Sequence, residues 1–169
     1  MVVGSNPAGH TMLNDLGFDS GSPRGGGGRK YPNMVKITGT YEGELHCTAK
    51  HEPSGNDLVT DAPRDNQGRG AAFSPTDLVA TAYATCIATT MAIMARNHGH
   101  ELGPVRYEVT KEMTATPPRS IARLAATFWL PASARAVPEG ELERAAHGCP
   151  VHRSLHPEVQ KDVVLHWES

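Results

Sequence analysis

A chain of 169 residues has the length of one domain, with room for a tail. Its 16 lysines and arginines against 18 aspartates and glutamates form no run of basic residues, which excludes nucleic acid and anionic membrane as default partners. Three cysteines (Cys47, Cys86 and Cys149) are too few, and odd in number, for a disulfide-stapled secreted scaffold.

Apolar residues thin out before residue 34 and concentrate after it. The start of the chain has no basic stretch leading into an apolar run, so no signal peptide is read and the cytoplasm is the expected compartment. Residues 1–33 contain Gly25-Gly26-Gly27-Gly28, Ser20-Gly21-Ser22-Pro23 and Tyr31-Pro32-Asn33. That composition cannot bury enough apolar surface to offset its ordering entropy. The segment is read as a flexible arm, a cloning remnant or a misassigned start, with the domain itself in residues 34–169. A phosphate-binding loop would need a following helix and a Lys-Ser or Lys-Thr pair, which Arg29-Lys30-Tyr31 does not supply.

Val35, Ile37, Tyr41 and Leu45 then fall at strand spacing, with Glu42-Gly43 as the hairpin turn. Leu58-Val59-Thr60 is a third short strand, and residues 61–73 are a polar, glycine-containing loop. The helix start that follows is well marked. Ser74 serves as N-cap, Pro75 fits the first helical position, and Asp77 stands three residues past the cap. The helix runs to about His98, with Gly99 at C′.

No charge lies between Asp77 and Arg96, an uncharged length of about 27 Å at the α-helical rise. Its threonines and alanines make it only mildly hydrophobic, so it is read as a central helix covered on every side and not as a membrane span. Six short strands and two small helices provide too little apolar surface for that covering, and an obligate dimer would supply the rest. Residues 104–116 and 120–130 read as two strands around the turn Pro117-Pro118-Arg119. Pro138 to His147 reads as an amphipathic helix ended by Gly148, Cys149-Pro150 opens another helical turn, and Val163 to Trp167 is a last strand. The order gives an α+β domain.

The cysteines differ in setting. Cys86, in the middle of the helix, reads plainly as a small buried hydrophobe. The helix dipole fades within the first turn, so a thiolate there would need a neighbouring cation. Arg64 and Arg69 in the preceding loop are the candidates. Cys149 stands before Pro150 at a helix start, where backbone N–H groups lower a thiol pKa. It is flanked by His147 and His152 in what reads as an accessible loop, and a reactive or an inert thiol fits equally. Cys47, between His46 and Thr48 on a strand, is structural or incidental. Cys47 with His51, or His147 with Cys149 and His152, are fragments of a zinc pattern, but neither completes a paired unit. Neither a metal nor a cofactor site is expected.

Several of these stretches, taken in order, are similar to the OsmC/Ohr family. They are Thr60-Asp61-Ala62-Pro63-Arg64-Asp65-Asn66-Gln67-Gly68, Phe73-Ser74-Pro75-Thr76-Asp77-Leu78, Ala84-Thr85-Cys86 and Gly148-Cys149-Pro150-Val151. The resemblance spans about residues 34–169 and is to the general branch more than to the peroxidases. It implies an OsmC-like α+β fold with antiparallel sheets around a long buried helix, in an intertwined homodimer whose sites both chains build. It further implies reduction of organic hydroperoxides in oxidative or osmotic stress. Cys86 would be the peroxidatic thiol and Cys149 the resolving one, regenerated by a lipoyl-type dithiol. A sulfenic acid does condense readily with a neighbouring thiol.

Two positions depart from the pattern of the peroxidases. These carry an arginine in or just after the first hairpin, where Tyr41-Glu42-Gly43-Glu44-Leu45 has none. They also carry a glutamate after the helix-opening proline, where Thr76 stands here. Asp77 follows it, about 100° further round the helix. Arg64, Arg69, Asp77 and His147 are the residues expected to support the thiols. The alternatives are a thiol-containing binding or redox-sensing protein and a structural relative with an inert site.

Overall fold

The computed structural model describes residues 34–169; the segment read above as an arm lies outside the described residues. The first sheet is antiparallel, ordered β1 (Ile37–Gly43), β2 (His46–His51), β3 (Asp57–Asp61). Its hairpin turns later than the sequence suggests. Glu44 and Leu45 hold the positive φ angles of 49° and 62° that a two-residue type I′ turn requires. Glu42 and Gly43 instead form the bulge that shifts the register after Tyr41, with Gly43 paired to His46 and Glu42 as the extra residue. The Tyr41 hydroxyl accepts the Leu45 N–H at 3.2 Å, steadying a residue in a conformation that bulky side chains avoid.

Helix α1 (Pro75–Asn97) begins where its cap residues put it. Ser74 Oγ accepts the Asp77 N–H at 3.2 Å, and the Asp77 carboxylate accepts the Ser74 N–H at 2.8 Å, a reciprocal capping box. Gly99, at φ 78°, takes the left-handed position past the C-terminus.

The second sheet runs β4 (Arg106–Met113), β5 (Ile121–Leu130), β6 (Gln160–Trp167). It is mixed, not antiparallel throughout: β4 and β5 are antiparallel, whereas β5 and β6 are parallel. Residues 131–159 make a crossover long enough to return β6 in the direction of β5, which a hairpin cannot do. They contain a 3₁₀ turn (Ala132–Ala136) and the helices α2 (Glu141–Gly148) and α3 (Pro150–Ser154). Helix α2 starts later than the expected Pro138, behind Gly140 at φ 78°. Arg123 ties the three strands together, at 2.9 Å from Glu112 on β4 and 2.6 Å from Asp162 on β6.

Strand alternation puts Leu124, Ala126, Phe128 and Leu130 of β5 on one buried face. They meet Tyr83, Ile87, Met91 and Ala95, which recur every four residues along one side of α1, while Leu142, Ala145 and Ala146 of α2 close the cluster. Each large apolar side chain so buried contributes roughly 1.5–3 kcal/mol. Among the described residues α1 is the helix long and apolar enough to cross a membrane, but this packing makes it the core helix of the domain.

Within one chain, however, the covering of α1 is one-sided. Thr85, Thr89 and Ile93 remain exposed on its opposite face. The first sheet is also open, with Ile37 65% and Tyr41 62% exposed.

Candidate active site

Cys86 lies in the fourth turn of α1, between the buried Tyr83 and Ile87, and is itself half-buried. Helices α2 and α3 pack on α1 and carry Cys149 to it. Cys149 closes α2 and caps α3: its extended backbone (φ −64°, ψ 148°) ends one helix, and its Sγ accepts the His152 N–H at 3.3 Å to begin the next. Pro150 follows at the first helical position, where the missing N–H costs nothing.

Cys149 is fully buried, which corrects the accessible loop read from the sequence. The helix-start N–H groups are present, but they do not prevail. Burial pushes this thiol up, the His152 N–H pulls it down, and the adjacent Cys86 thiol pushes it up again; the net direction is upward. Both thiols are free.

Three aromatic rings complete the surroundings. The Tyr83 ring lies 5.8 Å from the His152 ring at 37°, and the His147 ring meets His152 edge-on at the same 5.8 Å. His147, expected to support the thiols, is exposed at the end of α2 and reaches the cluster through His152. Burial, with the charges of Cys149 and Asp162, pushes Tyr83 up to about 12. Burial also holds His152 below the usual histidine range, helped by Lys161 and His147. An imidazole so placed is neutral at pH 7, with one ring nitrogen free to accept a proton.

The arginines read as possible activators are engaged elsewhere. Arg64 Nε donates to the Arg69 carbonyl at 3.1 Å, shaping the loop before α1. Arg69 stands 3.5 Å from Asp61 and 3.6 Å from Glu44. Asp61 is a buried carboxylate that accepts His46 Nδ1 at 2.6 Å and the Ala71 N–H at 2.9 Å. These bonds, His46's foremost, hold it below the usual carboxylate range. Gly68 completes the loop, where an added Cβ would lie 1.7 Å from the Ala62 carbonyl oxygen.

Asp77 is committed to the helix cap and to Lys111, whose ammonium lies 2.7 Å from its carboxylate and 2.7 Å from Thr76 Oγ1. Cys47 sits apart from the other two thiols, lining a cleft of about 390 Å³ with Tyr41, Leu45, Met113 and Arg119. Among the described residues no cluster of histidine, cysteine and carboxylate suits a metal ion.

Sequence reasoning left three parts of this arrangement out: Tyr83, Lys111 and the His46–Asp61 pair. Tyr83 was within reach, since a residue three before Cys86 shares its side of a helix. Lys111 and His46 owe their places to tertiary packing between elements far apart in sequence.

The family model of OsmC-like proteins matches residues 68–163. No curated protein sequence matches the chain. Among solved structures, the chain is similar to a Psychrobacter arcticus protein described as an osmotic stress induced and detoxification response protein. The two share 36% identity over 80% of this chain and 98% of that one, with a TM-score of 0.71. An organic hydroperoxide resistance protein from Elizabethkingia anophelis shares the fold at 12% identity, covering 83% of this chain and 100% of that one, TM-score 0.67. A Legionella pneumophila organic hydroperoxide resistance protein does so at 18% identity, 80% and 98% coverage, TM-score 0.61.

Proposed function

The chain belongs to the OsmC-like protein family, and from that membership and its two neighbouring thiols we propose that it reduces organic hydroperoxides with the Cys86/Cys149 pair. The observation that carries this reading is the asymmetry of the pair. Cys86 is the more accessible thiol, on the wall of an apolar core, and is the peroxidatic residue. Cys149 is buried beside it with its proton retained, a thiol that waits for a partner and does not meet oxidants first.

In the reaction, the Cys86 thiolate attacks the peroxide O–O bond. An S–O bond forms, the O–O bond breaks, and the alcohol leaves with a proton. Cys149 then attacks the sulfenic sulfur, forming the disulfide and releasing water. Exchange with a lipoyl-type dithiol returns both thiols.

The exposed face of α1 and the open first sheet support a homodimer in which a second copy covers both, bringing its own loop residues toward Cys86. In that arrangement Arg64 or Arg69 of the second copy activates the thiol. A cytoplasmic role in oxidative or osmotic stress fits this chemistry.

The test is peroxide consumption with cumene hydroperoxide and dihydrolipoamide. Wild type should turn over, Cys86→Ser should consume none, and Cys149→Ser should complete one oxidation and stop at a sulfenic acid that can be trapped. Oxidation retained in Cys86→Ser and lost in Cys149→Ser would reverse the two roles.

The engagement of Arg64 and Arg69 with the loop backbone, Asp61 and Glu44 favours a second reading, a thiol-containing binding or redox-sensing protein. Failure of wild type to consume peroxide, with both thiols still reactive toward small alkylating reagents, would select it.

A further inference from the structure

Among the described residues, two buried side-chain polar atoms have no hydrogen-bond partner: Tyr83 Oη and His152 Nδ1. Both belong to the cluster around Cys149, and their rings face each other at 5.8 Å. Buried polar atoms are almost always paired, because an unpaired one costs folding free energy. Two together beside a thiol therefore call for a use. The local geometry also keeps the His152 backbone beside the sulfur. Cys149 is the N-cap of α3 and His152 is the third helical residue, so its N–H donates to Sγ and its side chain shares the face of the capping residue.

We propose that His152 and Tyr83 handle the proton and the leaving group of the disulfide-forming step. The inference rests on the peroxidase reading and deepens it. The organic hydroperoxide has already oxidised Cys86 to the sulfenic acid. His152 Nδ1 then takes the proton as the Cys149 S–H bond breaks, and the Cys149 sulfur forms the S–S bond. The S–O bond of Cys86 breaks with its electron pair going to oxygen. The Tyr83 hydroxyl donates a hydrogen bond to that departing hydroxide, which takes the proton from the imidazolium and leaves as water. The Cys149 sulfur is oxidised and the sulfenic sulfur reduced, so the step balances.

A base is needed here because the thiol is protonated. An ordinary thiol of pKa about 8.5 is only about 3% thiolate at pH 7, and Cys149 lies above that. A neutral imidazole that takes the proton as the sulfur attacks can therefore recover part of that roughly thirtyfold deficit. The titratable groups of the cluster are Tyr83, His147 and Lys161 around the imidazole, Cys86 beside Cys149, and Cys149 with Asp162 around Tyr83.

The test uses full-length reduced protein in single-turnover reaction with cumene hydroperoxide. A sulfenic-acid trap follows the first oxidation, and mass spectrometry follows closure of the disulfide. In each variant, closure is read relative to the first oxidation of the same protein. His152→Gln should slow closure by about ten- to thirtyfold, and Tyr83→Phe by a smaller factor. In wild type, closure should rise with pH and level off below the usual histidine range, whereas in His152→Gln it should keep climbing into the thiol range. Should His152→Gln fail to fold, the wild-type pH profile decides alone. Equal closure in His152→Gln, or wild-type closure that tracks only thiol ionisation, overturns this proposal while the peroxidase reading stands. Wild type that consumes no peroxide overturns both.

Discussion

Lys111→Met should loosen the start of the central helix by an amount the contacts allow one to work out. The Lys111 ammonium, 15% exposed, meets three oxygens of the first turn of α1 or its cap: Asp77 Oδ1 at 2.7 Å, Thr76 Oγ1 at 2.7 Å and Ser74 Oγ at 3.4 Å. A hydrogen bond to a charged group is worth about 1.5–3 kcal/mol. Methionine keeps the aliphatic stem and removes only the ammonium. Asp77 is 42% exposed and still accepts the Ser74 N–H, so water and the cap recover much of the loss. The expected cost is about 1–2 kcal/mol, or about 0.5–1 M in the urea midpoint at fixed protein concentration. The pH dependence gives a second check. Burial pushes Asp77 up, but Lys111 and the Ser74 N–H outweigh it and leave the carboxyl below its ordinary value of about 3.9. Its contribution is thus complete above that pH and is lost as pH falls through the lower folded-state value. The gap between wild type and Lys111→Met should therefore narrow in strong acid. A variant as stable as wild type near neutral pH, or a gap that persists with Asp77 protonated, would refute this account.

Other outcomes follow from separate parts of the molecule. Gly68→Ala should destabilise by about 2 kcal/mol or more, because its Cβ would overlap the Ala62 backbone and not a movable side chain; an unchanged urea midpoint would contradict this. Thr89→Arg, on the exposed face of α1, should break the proposed dimer, and sedimentation as an intact dimer would show that this face is not the interface. A chain beginning at Met34 should keep its melting temperature within a few degrees and the same assembly state, measured by calorimetry and sedimentation; a larger fall would give residues 1–33 a structural role.

What the sequence disclosed was mostly local. Ser74, Pro75 and Asp77 marked the start of α1 because capping is settled within four residues, and Gly99 marked its end for the same reason. Residues 120–130, read as a strand after the Pro117-Pro118-Arg119 turn, contain the buried strand β5. The first hairpin was misplaced because Glu42-Gly43 has turn composition, whereas the chain spends these two residues on a bulge and turns through Glu44 and Leu45. The parallel pairing of β5 and β6 was hidden, since strand direction depends on how a crossover folds and not on strand composition. At the site, the identities of Cys86 and Cys149 were readable, but the burial of Cys149 was not. Its pKa follows from the packing of α2 and α3 on α1, which prevails over the helix-start N–H groups that the local sequence advertises.

The crossover that carries Cys149 also sets when the thiol pair can exist. Sixty-three positions separate Cys86 from Cys149, and Cys149 is held between β5 and a strand that pairs with it only after residues 131–159 have looped back. Such long-range closure is entropically costly and comes late in folding. A nascent or partly unfolded chain therefore presents Cys86 without its neighbour, as a solitary thiol open to irreversible oxidation. In the proposed reaction, only the finished domain puts a second sulfur in place to intercept the sulfenic acid, so reversible oxidation would mark a correctly matured molecule.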